Sequence, residues 1–313
     1  MNIFFYANFS NNTQFLKIIK KKFKDHQIYT IGDKFDYESI SIAMIWKLPN
    51  NEFKKLINLQ LIFSLGAGVD HILKLSSYDH TPIVRIKDPN MRDRMFNHAL
   101  SQILTYQLKL SSYSNAQQKK IWLDERLDER ITALNHNLTV GVLGLGYIGN
   151  YVAKKLKNLG YNIIGYRKTK TTSNKNFPVF FNESLEKFII KSDIILSILP
   201  ATSETNNLID KKFLLKLKKK SLLINIGRGS TVNENDLMDH VNSNIDSYAS
   251  LDVFKNEPLN KNHKFWKHPN ITVTPHIAAI TDVESSIEYM FDRFNDYVKV
   301  GNIKSDVSLK KGY

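Results

Sequence analysis

The chain has 313 residues, with 44 Lys and Arg against 30 Asp and Glu, a formal charge of +14, and no cysteine. That length is ample for two hydrophobic cores, and the lack of cysteine excludes disulfides and thiolate chemistry. No apolar run approaches the roughly 18 residues that span a membrane.

Met1-Asn2-Ile3-Phe4-Phe5-Tyr6 lacks the charged region and long apolar stretch of a secretion signal, so a cytoplasmic protein without a membrane partner is expected. The positive charge raises nucleic-acid binding as a function class. Against it, the lysines are scattered, with clusters at 20–24, 216–220 and 310–311, and no DNA- or RNA-binding signature lies among them. A basic solvated surface that draws in anionic substrates is the better reading, although a background bias toward Lys, Asn and Ile would give the same charge. No nucleic-acid partner and no metal are expected.

In chain order, apolar strands are predicted at 2–6, 27–31, 42–46, 61–64 and 83–86, separated by polar or helical stretches such as 12–23. That alternation means a parallel sheet. A helical segment from about residue 91 to 119, continuing into the charged stretch 120–130, reads as a connector helix. Further strands follow near Thr139, Asn162, Asp193, Ser221, Tyr248 and Ile271, and 283–300 reads as a final helix that returns to the first unit. The expected architecture is α/β with two doubly wound parallel-sheet domains. A nucleotide-binding domain of the Rossmann type, 99–281, is inserted into a discontinuous substrate domain of flavodoxin-like order, 1–98 and 282–313.

The run Thr139-Val140-Gly141-Val142-Leu143-Gly144-Leu145-Gly146-Tyr147-Ile148-Gly149 is a β-branched strand opening into Gly-x-Gly-x-x-Gly and then a helical pattern. In such a loop Gly144 permits the tight turn, Gly146 lets backbone approach a pyrophosphate, and Gly149 lets helix pack on strand. The helix N-terminus adds oriented N–H donors and partial positive charge. Glycines also end strands for no ligand at all, but here a helix closed by Gly160 and a second strand at 162–166 complete a βαβ unit of the right size. About 20 residues beyond the loop, where an acid would hold the ribose 2′-hydroxyl of NAD, stands Arg167-Lys168-Thr169-Lys170. A carboxylate repels a 2′-phosphate and a guanidinium holds it. NADPH is therefore the expected cofactor, NADH the less favoured one, and a solvated basic turn the bland alternative.

Open parallel sheets bind ligands beyond their C-terminal edges, and three ionisable residues follow predicted strands: Arg228 after 221–227, Glu257 after 248–254, and His276 after 271–275. Singly, each has a duller explanation, as a loop cation, a turn acid before Pro258 and a packed histidine. Together they match the needs of α-keto acid reduction, which requires a proton donor for the developing alkoxide, a cation for the carboxylate and carbonyl, and an anion to orient the donor imidazole.

These residues resemble the D-isomer-specific 2-hydroxyacid dehydrogenases over nearly the whole chain. The resemblance is carried by Gly144-Leu145-Gly146-Tyr147-Ile148-Gly149, Leu199-Pro200, Asn225-Ile226-Gly227-Arg228-Gly229, Leu251-Asp252-Val253-Phe254 with Glu257-Pro258, and Thr274-Pro275-His276-Ile277-Ala278. Within that family the chain is most similar to the glyoxylate/hydroxypyruvate reductases of the A type, on Met44-Ile45-Trp46, Ser64-Leu65-Gly66-Ala67-Gly68-Val69-Asp70 and Pro275-His276-Ile277-Ala278-Ala279.

The resemblance implies NADPH-dependent reduction of glyoxylate to glycolate and hydroxypyruvate to D-glycerate by hydride transfer. It implies His276 as proton donor, Arg228 as substrate-binding cation and Glu257 as the acid paired with His276. For the cofactor it implies Gly144, Gly146, Tyr147, Ile148, Gly149, Arg167, Lys168, Leu199, Pro200, Ile226 and Asp252. For the substrate it implies Trp46 as a pocket wall and Leu65, Gly66, Ala67 and Gly68 as an anion-binding loop, and for assembly a homodimer through the connector helices. Gly227 departs from the pattern, since relatives often carry alanine there, and is expected to loosen the loop before Arg228. Another small 2-keto acid as substrate stays open, as does a dinucleotide-sensing binding protein of the same fold.

Overall fold

A computed structural model describes residues 1–9, 11–128, 130, 133–168 and 176–308. The chain divides into two compact units, one comprising Met1–Met91 with Thr281–Tyr313 and the other Arg92–Ile280. The expected boundary at 98/99 falls inside the helix Pro89–Gln107, whose early turns already count with the second unit.

In the first unit β1 (Asn2–Ala7), β2 (Gln27–Tyr29), β3 (Ile42–Trp46), β4 (Leu61–Ser64) and β5 (Ile83–Arg85) form one parallel sheet in the order β2-β1-β3-β4-β5, the flavodoxin-like arrangement. Both faces of the central strands are covered, which is why β3 and β4 read as continuous apolar runs rather than alternating ones. Helices Asn12–Lys22 and Val283–Val300 cover one face through Phe15, Ile19, Met290 and Phe294. Strand β2 stops two residues short of expectation because the Asp33 carboxylate accepts from both the N–H and the hydroxyl of Thr30 (2.7 and 2.9 Å), turning the chain there.

The second unit holds β6 (Thr139–Leu143), β7 (Asn162–Arg167), β8 (Val179–Phe181), β9 (Ile194–Ser197), β10 (Ser221–Asn225), β11 (Ser247–Leu251) and β12 (Ile271–Val273), ordered β12-β11-β10-β9-β6-β7-β8. This is the Rossmann order 3-2-1-4-5-6 extended by one strand. The direction of winding reverses between β6 and β9, the place where such sheets bind ligands. Register aligns Leu143 with Ser197, Ser197 with Asn225, Asn225 with Leu251, and Leu251 with Val273. Five strands therefore end level, and the loops after them share one rim. Strand β8, three residues on the sheet edge, was not foreseen.

The connector is not one helix. Pro89–Gln107 and Leu110–Gln118 are separated by a break at Lys109, whose φ of 51° is left-handed. The cause lies downstream. The Lys109 ammonium pairs with Glu125 and, at 3.1 Å, with Asp128, while Arg130 reaches Asp128 at 2.8 Å and lies over the rings of Tyr106 and Tyr248. Residues 120–128 fold back onto this cluster instead of extending a helix, and Asp124 accepts from the N–H of Arg126 in a local turn.

Hydrogen bonds from Arg130, and less so from Lys109, hold the Asp128 carboxyl well below the ordinary carboxylate range. A carboxyl depressed in the folded state contributes stability above its unfolded pKa of about 3.9 and loses it as pH falls below that value. Asp128→Asn should therefore be less stable than wild type near neutrality, and the difference should shrink as pH drops from about 5 toward 2. Urea denaturation midpoints across that range test this; two parallel curves would show that the Asp128 charge does not stabilise the fold.

Candidate active site

The loop after β6 has the geometry its glycines require. Gly144 has a φ of +101°, and a side chain there would also meet the Ile198 carbonyl oxygen at 2.7 Å. Gly149 packs on the preceding turn so closely that a Cβ would lie 1.9 Å from the Gly144 carbonyl oxygen. Gly146 caps the helix Tyr147–Asn158 and has open space where its Cβ would stand. Two glycines are thus demanded by packing, while the third opens onto the helix N-terminus. Tyr147 is 52% exposed beside it, and Ile148 is half-buried.

Arg167 ends β7, and its Nη2 donates to the Leu145 carbonyl (3.3 Å), which places its guanidinium at the glycine loop. Lys168 forms an ion pair with Glu204, with both side chains about 60% exposed. Thr169 and Lys170 lie outside the described residues. A further cation, Arg92, was passed over in the sequence: its guanidinium stacks on Tyr151 (4.3 Å) and Tyr147 (5.3 Å), the first turns of the same helix.

On the shared rim, Leu199 and Pro200 follow β9. Gly227 corrects the expectation of a loosened loop, because a Cβ there would sit 2.6 Å from both the N and the O of Leu199. The glycine is required by close backbone packing. Ile226 buries its side chain in the sheet core, so only its backbone faces the rim. The Arg228 carbonyl accepts from Asn225 Nδ2 (3.1 Å) and Thr231 Oγ1 (2.7 Å), which pins the turn that presents the guanidinium.

Glu257 and His276 meet. Glu257 Oε1 accepts from the Phe254 N–H at 3.0 Å, and Oε2 lies 2.9 Å from His276 Nδ1. A carboxylate only accepts, so Nδ1 carries the proton of this bond and Nε2 is left for another partner. His276 adopts a φ of +56°, a conformation that costs a non-glycine residue about 1 kcal/mol or more. Asp252 supports it. This carboxylate, 1% exposed, accepts from Thr274 Oγ1 (2.6 Å), Ile277 N (2.9 Å) and Ala278 N (2.9 Å), and its own carbonyl accepts from His276 N (2.9 Å). Asp252, expected among the cofactor contacts, is thus employed in holding the histidine loop. Burial lowers the pKa of the nearby His98 imidazole, and the Asp252 charge opposes that shift.

In the first unit, the turn Leu65-Gly66-Ala67-Gly68 follows β4. Trp46, at the end of β3, lies directly over Gly66, where a Cβ would be 2.3 Å from the indole. Beneath the turn, Ser64 Oγ is within bonding distance of Gly66 O (3.0 Å), Gly68 O (2.8 Å) and His71 Nε2 (3.2 Å). Arg85 was also missed: it ends β5 in register with Ser64, which puts a cation on the same sheet edge, a position that strand-end logic alone could have flagged.

Gly149→Ala and Gly227→Ala should each lower the melting temperature by several degrees, since a Cβ meets fixed backbone at both sites, whereas Gly146→Ala should leave it nearly unchanged. Thermal unfolding followed by circular dichroism distinguishes them, and equal losses at all three would contradict the packing described.

Residues 100–278 match the family profile described as D-isomer specific 2-hydroxyacid dehydrogenase, NAD binding domain. The glyoxylate/hydroxypyruvate reductase A of Serratia proteamaculans is 31% identical over 92% of both chains, and that of Photorhabdus laumondii is 31% identical over 100% of both. Among solved structures, the NADPH-dependent glyoxylate/hydroxypyruvate reductase of Sinorhizobium meliloti in complex with NADP and sulfate superposes with a TM-score of 0.90 at 27% identity, covering 100% of this chain and 99% of that one. The 2-hydroxyacid dehydrogenase of Xanthobacter autotrophicus Py2 in complex with NADPH and MES gives the same TM-score, identity and coverage. With its glycine loop, its rim of Arg228, Glu257 and His276, and these relatives, the chain belongs to the D-isomer specific 2-hydroxyacid dehydrogenase family.

Proposed function

We propose that the chain is an NADPH-dependent reductase that converts glyoxylate to glycolate and hydroxypyruvate to D-glycerate. The observation that carries this is the 2.9 Å pairing of His276 Nδ1 with Glu257 on the rim that also bears Arg228 and the glycine loop. Relatives named for this activity and solved structures with NADP or NADPH bound support it.

The residues present fit a dinucleotide. The open space at Gly146 and the N–H groups of the following helix suit the pyrophosphate, Arg167 and Lys168 suit a 2′-phosphate, and Tyr147, Ile148, Leu199, Pro200 and the backbone of Ile226 complete the cofactor side. When bound, NADPH supplies the two electrons and the hydrogen that reduce the keto carbon. His276, with Nδ1–H committed to Glu257, delivers a proton from Nε2 to the alkoxide oxygen. Glu257 fixes the ring and balances the charge of the protonated imidazole. Arg228 presents a planar fork to carboxylate and carbonyl. In the first unit, the N–H groups of Gly66, Ala67 and Gly68 suit a carboxylate, Trp46 walls the turn, and the Leu65 N–H, expected among these donors, is instead given to the Ile45 carbonyl (3.1 Å).

We assign the second half of the connector to a homodimer contact. Ile121, Trp122 and Leu127 are 54%, 95% and 97% exposed, apolar side chains close in sequence that a second copy would cover. No helix among the described residues is long and apolar enough to cross a membrane, and we place the enzyme in the cytoplasm.

Replacing Arg167 and Lys168 together by serine should weaken NADPH binding by about 2 kcal/mol, the lower range for two charge-assisted contacts because Lys168 is exposed and screened. NADH binding should hardly change. Fluorescence titration with both cofactors checks this, and equal losses would remove the pair from cofactor selection.

The function itself is tested by NADPH consumption with glyoxylate, hydroxypyruvate and a panel of other 2-keto acids. His276→Ala should cost about 10² to 10⁴ in kcat with NADPH affinity intact, and Arg228→Lys should collapse kcat/KM because the planar fork is lost. Glu257→Gln should fall between wild type and His276→Ala. Near-normal turnover by His276→Ala would exclude it as proton donor, and NADPH binding without reduction of any keto acid would point to a sensing protein.

A further inference from the structure

We propose that His71, acting through the Ser64 hydroxyl, is a positioning residue that presets the Leu65–Gly68 turn for its ligand; this rests on the assignment of that turn to the substrate carboxylate. His71 sits on the short helix Asp70–Leu73, immediately beyond the turn. Its Nδ1 accepts from the Lys47 N–H at 3.2 Å. That bond leaves the imidazole proton on Nε2, which faces Ser64 Oγ at 3.2 Å. The serine oxygen, 0% exposed, accepts from this N–H, and its hydroxyl donates to the carbonyl of Gly68 (2.8 Å) or of Gly66 (3.0 Å).

The direction of this relay matters because a trans peptide carries its C=O and N–H on opposite sides. With the Gly66 and Gly68 carbonyls drawn onto Ser64, the N–H groups of Ala67 and Val69 are turned away from it. Among the described residues, the N–H groups of Gly66, Ala67 and Gly68 have no backbone acceptor. The Val69 N–H has no backbone acceptor either, and of these groups Ala67 and Val69 are the donors that the serine turns toward an anion.

The same imidazole holds the wall of the turn. Its ring centroid lies 4.3 Å from that of Trp46, and the N–H it accepts belongs to Lys47, the next residue, held at a φ of +52°. Trp46 in turn rests on Gly66. One side chain thus ties the end of β3, the end of β4 and the turn into a single arrangement before any ligand arrives. An apolar residue at 71 would fill the space but leave the buried Ser64 hydroxyl and the Lys47 N–H without these partners.

The experiment uses the full chain with saturating NADPH and glyoxylate as the probe. Ser64→Ala and His71→Asn break the relay. His71→Gln places an amide donor near the original Nε2, whereas the asparagine oxygen replaces only Nδ1. The two relay-breaking variants should raise KM for glyoxylate about tenfold, the scale of one lost buried hydrogen bond, with kcat changed less than about threefold and NADPH affinity unchanged. His71→Gln should recover part of the loss, and the double variant Ser64→Ala with His71→Asn should be no worse than the poorer single one. Melting temperatures identify variants that merely unfold; if His71→Asn is one of them, Ser64→Ala, which keeps the ring, decides. Folded variants with wild-type KM would overturn the brace, as would kcat, KM and NADPH affinity worsening together. No glyoxylate turnover by the unmodified chain would instead overturn the assignment of the turn to this substrate.

Discussion

Five strands of the larger sheet stop level with one another, and the proposed chemistry depends on that register. Leu143, Ser197, Asn225, Leu251 and Val273 lie across from each other, so the glycine loop, Leu199, Arg228, Glu257 and His276 emerge onto one edge although they span residues 144–276. A one-residue slip of β12 against β11 would put its side chains on the opposite face of the sheet and carry His276 away from Glu257. The register is held most firmly at β6, β9 and β10, whose residues are buried on both faces, where exposing an apolar run costs far more than any loop rearrangement.

On that edge the main electrostatic device is a buried carboxylate. Asp252 is out of water and would be costly there without compensation. Its compensation comes from three donors of one loop, two of them the N–H groups that directly follow His276. The same bonds that satisfy the charge hold the histidine in a left-handed conformation, so solvation of the acid and placement of the imidazole are one problem with one solution. Glu257 is handled likewise, with one oxygen on the Phe254 N–H and the other on the histidine.

The smaller sheet solves an equivalent problem with hydrogen bonds. Beneath the Leu65–Gly68 turn lie a serine, the His71 imidazole and peptide carbonyls, and the steric limit is Trp46 against Gly66. Both units therefore aim backbone and side-chain donors outward by burying the matching acceptors beneath them. Such preorganisation leaves little ordering to be done when an anion binds.

The sequence by itself determined the alternation of strands and helices, the bounds of β3, β4 and the helix Val283–Val300, the glycine loop, and the three ionisable residues that follow strands. These are local matters: apolar period and glycine spacing act within a few residues. Tertiary structure decided the rest. The helix break at Lys109 is caused by acids 16 and 19 residues downstream, and Gly227 is required because Leu199 passes over it. Asp252 is a loop anchor because Thr274, Ile277 and Ala278 return to it, and His71 gains its role from Lys47 and Ser64. Each of these depends on a contact between separate segments. Such partners become identifiable only when the sheet brings them together, because no local pattern of residue types records which distant donor will satisfy which buried acceptor.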